Sequence, residues 1–170
     1  MKRFALTLLA ILFTVNSALA VESATEERLD EVAERGVHVM PFDLERTLHV
    51  FSKTAQGGVQ QVIAKDDADT EQIMLIREHL SQISQAFRQG DFSGPAKIHG
   101  EDMPGLAELR TAQPGQIAIL YQELPNGAEI DYATENTALI EAIHKWFDAQ
   151  LSDHARHAVP GHPHHLHHGH

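Results

Sequence analysis

Two stretches of the chain repeat one order of hydrophobic periods, and that order restricts the fold more than any other feature. Residues 46–87 read strand, turn, strand, helix. Thr47, His49 and Phe51 share one strand face, Gly57-Gly58 supplies the turn, and Val59, Gln61 and Ile63 alternate opposite. Asp69 with Gln72 can cap the helix that follows, whose apolar stripe is Ile73, Ile76, Leu80, Ile83 and Phe87. Residues 116–154 read the same way. Ile117, Ile119 and Tyr121 share a face, and Asn126-Gly127 is a strong hairpin signal. Ala128, Ile130 and Tyr132 alternate with Glu129 and Asp131. Residues 134–136 can cap a helix carrying Ile140, Ile143, Phe147 and Leu151.

An additional helix is expected over residues 22–36, with Ser23 and Glu26 as a capping box and Gly36 as its stop. "VHVMPF" reads as extended chain up to Pro41. The Gly- and Pro-rich segment 88–116 reads as a linker with one short helix near residues 105–110. The expected fold class is α+β: an antiparallel sheet from two β-hairpins, helices packed on one face, and a ββα pseudo-repeat.

The ends belong to other categories. Residues 1–20 read as a secretory signal peptide: Lys2 and Arg3 lead, an apolar run follows, and Ala18-Leu19-Ala20 offers the small residues of a cleavage site. Cleavage there leaves one domain, residues 21–158, in the periplasm or secreted, and no membrane anchor. Residues 159–170 read as a flexible, disordered His-rich tail that Pro160 separates from the last helix. Removing Lys2 and Arg3 takes the formal charge from −11 to −13, which argues against nucleic acid as a partner and suits cations. The chain contains no cysteine, so an exported form has neither disulfides nor thiolate ligands.

Histidine therefore carries the metal chemistry. Of 13 histidines, the tail region supplies His157, His162, His164, His165, His167, His168 and His170. Imidazoles on a mobile segment can gather round zinc, nickel or copper(II). Within the fold, His49, His79, His99, His144 and His154 are candidate ligands, His79 and His144 at comparable places in their helices. "HGEDM" adds Met103 to His99. "HVM" adds His38 and Met40, which on a strand would share a face. Imidazole with thioether points to copper first, zinc or nickel second. No HExxH, P-loop, GxGxxG or GxSxG occurs. The acids of "KDDADTE" read as a helix start, and Trp146 as core. Two other readings stand beside metal binding: a non-metal interaction or ligand-binding module with an incidental tail, and a small hydrolase or transferase using a His–carboxylate pair.

The stretches "MPFDLERTLHVFSKTAQGGVQQVIAKD", "KIHGEDMPGLAELR" and "HKWFDAQLSDHARHA" resemble a family of small exported bacterial proteins often labelled aspartate carbamoyltransferase, over residues 37–158. The resemblance implies that His49, His99, Met103, His144 and His154, which fall in its recognisable segments, are the internal ligands to examine first. The label's activity does not follow. The Ser-Thr-Arg-Thr loop that holds carbamoyl phosphate is absent from the sequence, and the mature chain is too short for the two domains that such an enzyme needs.

Overall fold

A computed structural model describes residues 21–161. The expected signal peptide, residues 1–20, and the expected His-rich tail from His162 onward lie outside the described residues. Helix α1 (Glu26–Val37) leads through a 3-10 turn (Leu44–Arg46) into β1 (Thr47–Thr54) and β2 (Gly57–Ala64). Then come α2 (Thr70–Arg88), α3 (Ser93–His99), α4 (Leu106–Leu109), β3 (Ala118–Leu124), β4 (Gly127–Ala133), α5 (Thr137–Asp153) and β5 (Ala158–Pro160). The strand order is β3-β4-β2-β1-β5. Four strands are antiparallel, as two hairpins require. The fifth, β5, runs parallel to β1, so the sheet is mixed and the ordered chain passes the expected boundary at residue 158. Pro160 can stand there because β5 is an edge strand. Among the described residues no helix is long and apolar enough to cross a membrane.

The repeat is real in its register. β1 pairs Thr54 with Gly57, and β3 pairs Leu124 with Gly127, a constant shift of 70 that holds along both hairpins. Where the hairpins meet, Gln60 pairs with Ile130, its own counterpart under that shift. A pseudo-twofold axis therefore passes between β2 and β4. The helices obey it too. Arg77, eight residues past the α2 cap Asp69, donates to the carbonyls of Leu124 (2.6 Å) and Gly127 (3.2 Å). His144, eight past the α5 cap Asn136, bonds through Nε2 to the carbonyls of Thr54 and Gly57, both at 2.9 Å. Each helix thus closes the other repeat's hairpin.

Both turns fall earlier than their glycines suggest, the first by two residues and the second by one. They are Ala55-Gln56 and Pro125-Asn126, and Gly57, Gly58 and Gly127 begin strands. Close approach explains this. A Cβ on Gly58 would lie 2.4 Å from the Phe147 ring, and one on Gly127 would lie 2.0 Å from the carbonyl oxygen of Val62. The glycines admit a neighbour rather than bend the chain. The faces also sort differently from expectation on β2: Gln60, Val62 and Ala64 are buried opposite Phe51, His49 and Thr47, while Val59, Gln61 and Ile63 face away, half-buried.

Helices α2 and α5 bury the expected stripes against the same sheet face: Ile76, Leu80, Ile143 and Phe147 are fully enclosed there, with Trp146 between them. Helix α1 is capped by Thr25 rather than Ser23, its hydroxyl accepting from Arg28 N. That helix runs through the start of "VHVMPF", so His38 is its exposed C-cap rather than a strand residue. The expected linker holds two helices, not one. Pro95 does not prevent α3, because it occupies the first turn, where no helical N–H is needed.

Candidate metal centre

Four of the sequence candidates converge. His49 on β1, His79 on α2, His99 at the end of α3 and His154 at the C-cap of α5 line one partly open cavity of about 60 Å³, together with Met40, Phe42 and Trp146. The space suits an ion and water, not a ring-sized cofactor. The aromatic rings form a chain. His79 meets Phe42 edge-on at 5.6 Å, Phe42 is 5.9 Å from His49, His49 is 5.4 Å from His154, and His154 is 4.8 Å from His99. Phe42 therefore separates His79 from the other three.

The tightest element is a pair: His99 Nε2 and His154 Nε2 stand 3.1 Å apart, both residues buried. The other nitrogen of His99, Nδ1, is 2.8 Å from Asp153 Oδ2. Arg28 holds that carboxylate through Nη2 at 2.7 Å and Nε at 3.3 Å, and binds the His99 carbonyl as well. Burial raises the Asp153 pKa, but the bonds from His99 and Arg28 outweigh it and bring the carboxyl down to about 2. An ionised Asp153 requires the proton on His99 Nδ1. The lone pair of His99 Nε2 then faces His154, whose Nε2–H donates to it.

Burial keeps these imidazoles neutral. It pushes His49 down to about 3, with further repulsion from His157, His79 and His99. Burial alone pushes His79 down to about 4. His154 is driven well down by burial and by His49 and His99; His99 is lowered by burial against the pull of Asp153. Neutral imidazole is the metal-ligating form. Two buried side-chain nitrogens of this wall have no partner, His49 Nδ1 and Trp146 Nε1.

The other candidates lie elsewhere. Met103 is buried, but it lines a surface cleft of about 610 Å³ on the outer side of His99. His38 is exposed, whereas Met40 reaches the cavity, so the "HVM" pair is split. His144 spends Nε2 on the β1–β2 turn, and the residue matching His79 by distance from the helix cap is Trp146. His157 belongs to the fold rather than the tail: it is buried, bonds Glu45 at 2.7 Å, and accepts the His49 N–H at its carbonyl. His162, His164, His165, His167, His168 and His170 lie outside the described residues. We expect His144→Ala to cost about 1–2 kcal/mol, the value of its hydrogen bonds, and to leave metal uptake unchanged. Urea unfolding and metal titration of that variant check both points.

Sequence reasoning missed Asp153 and Arg28. A signal for Asp153 existed: an acid in the last turn of α5 opposes the helix dipole, so its presence there calls for a compensating partner. Among the described residues no group of three or more His, Cys, Asp or Glu side chains is placed so that it could hold a metal ion as it stands. No family model, curated protein or solved structure matches this chain.

Proposed function

We propose that this is an exported metal-binding protein, for copper first and zinc or nickel second, serving buffering, tolerance or delivery. The observation that carries the reading is the buried His99–His154 pair, oriented by Asp153 and neutral at physiological pH. A carboxylate behind His99 and its Nε2 lone pair in front is the arrangement that metal-ligating histidines use. An acidic, thiol-free chain with an imidazole-rich tail fits the same reading. The tail would collect ions with little selectivity and the folded part would hold one with more.

The competing readings draw less support. A His–carboxylate pair bordering a cleft does exist, as a hydrolase would need. Yet the nitrogen that would take a substrate proton, His99 Nε2, faces His154 on the buried side. A docking module would be favoured by internal histidines lying far apart, and here four share one cavity. The test is calorimetric titration of the mature, tag-free chain with copper(II), zinc and nickel at pH 7. We expect at least one equivalent bound, with uptake by the cavity weakening only well below pH about 6.5, because burial lowers its imidazoles. No uptake of any of the three ions would end the reading.

A further inference from the structure

Resting on the metal-binding reading, we propose that the fold itself holds one ion, between His99 Nε2 and His154 Nε2, with His49 as third imidazole. This site is separate from any capture by the tail.

The geometry of the pair is the first argument. An N–H···N bond lying along both ring axes would set the ring centroids about 5.4 Å apart, given the 3.1 Å between nitrogens. The observed separation is 4.8 Å, with the rings nearly perpendicular at 87°. Two imidazoles whose lone pairs converge on an ion at about 2.05 Å, with nitrogens 3.1 Å apart, would have centroids about 4.8 Å apart. Their angle at the ion would be roughly 98°, within the range that adjacent ligands of one metal adopt. The pair is thus bent, at the separation that a shared ion would require.

The second argument is support. Asp153, fixed by Arg28, sets the tautomer of His99 so that Nε2 offers its lone pair. Asp153 is a positioning residue here and touches no ion. Third, among the described residues His49 carries the one fully buried imidazole nitrogen without a partner, and its ring lies 5.4 Å from that of His154. Completing the ligand set requires the His49 ring to turn toward the pair and His154 to change tautomer, losing the Nε2 proton and taking one up at Nδ1, so that both Nε2 lone pairs reach the ion. Copper is favoured over zinc because imidazole sites follow the Irving–Williams order, and the thioether of Met40 lines the same cavity.

The experiment uses the full mature chain with His162, His164, His165, His167, His168 and His170 each replaced by Gln. Copper(II) is titrated at pH 7, and the nitrogen couplings are counted by electron paramagnetic resonance. We expect one equivalent bound through two or three imidazole nitrogens. His99→Gln and His154→Gln should each weaken binding at least 100-fold, Asp153→Asn 10- to 100-fold, and His49→Leu should remove one nitrogen coupling. If a ligand variant does not fold, the nitrogen count on the tail-substituted chain and the Asp153→Asn affinity still decide. A folded tail-substituted chain that binds no copper(II), zinc or nickel overturns this inference. If the unsubstituted chain still binds, metal capture survives through the tail alone. If it does not, both readings fall.

Discussion

Lowering the pH from 7 to 5 should remove about 4 kcal/mol from the stability of the metal-free protein. Two histidines carry this figure. His49 titrates in the fold at about 3 and His79 at about 4, each held down first by burial. In the unfolded chain both titrate near 6.5. Between those limits the unfolded state binds protons that the folded state refuses. Stability is therefore full above about 6.5 and falls as the pH drops toward the folded values. At pH 5 each group costs about 2 kcal/mol. His99 and His154 are displaced in the same direction and add to the loss. Asp153 acts lower: its stabilisation is complete above about 4 and is lost as the pH falls through its folded value of about 2.

Domains of this size have about 5–15 kcal/mol to lose, so the effect is large enough to approach unfolding. Urea titrations at pH 7 and pH 5, with chelator present, measure it. A midpoint that stays put between the two pH values would mean that the imidazoles are not buried in their neutral form. A bound ion opposes the loss, because it stabilises the deprotonated folded state by mass action. The acid sensitivity of the apo form and the proposed metal site are two consequences of the same buried lone pairs.

Elements with strong local periodicity were legible in the sequence. Helices α2 and α5, both hairpins and the repeat followed from alternation and from caps at Asp69 and Asn136. The errors fall where a residue serves a tertiary contact in place of its local role. Gly127 looks like a turn residue and is instead required by the Val62 carbonyl. Gly94-Pro95 looks like a break and sits in the first turn of α3. β5 is three residues long and exists only because β1 offers an edge, which no local pattern announces. The candidate site divides in the same way. That the fold contains His49, His79, His99 and His154 was readable. Their convergence was not, because it depends on where α3 and α5 end relative to β1. His144 looked equivalent to His79, yet counting from the helix caps pairs it with Arg77, and a turn-closing role follows.

Replacing His49 by leucine should make the protein more stable, not less. The side chain is only 4% exposed, its Nδ1 is unbonded, and its neighbours Phe42 and Phe51 are apolar rings at 5.9 and 6.3 Å. A buried polar atom without a partner costs about 1–3 kcal/mol, and leucine removes that cost while filling a similar volume. The gain at pH 7 is therefore about 2 kcal/mol. At pH 5 it rises to about 4 kcal/mol, because the variant also loses the proton-linked penalty of that histidine. A chain selected for stability alone would have an apolar residue at position 49. Retaining an imidazole with an idle nitrogen is the kind of local cost found at functional sites. The stabilised variant should lose one copper ligand, so that stability and metal affinity move in opposite directions. Denaturation curves of both proteins at the two pH values, read beside their copper affinities, test the trade. A loss of stability in His49→Leu at pH 7 would show that the histidine has a structural partner and is not held in reserve for an ion.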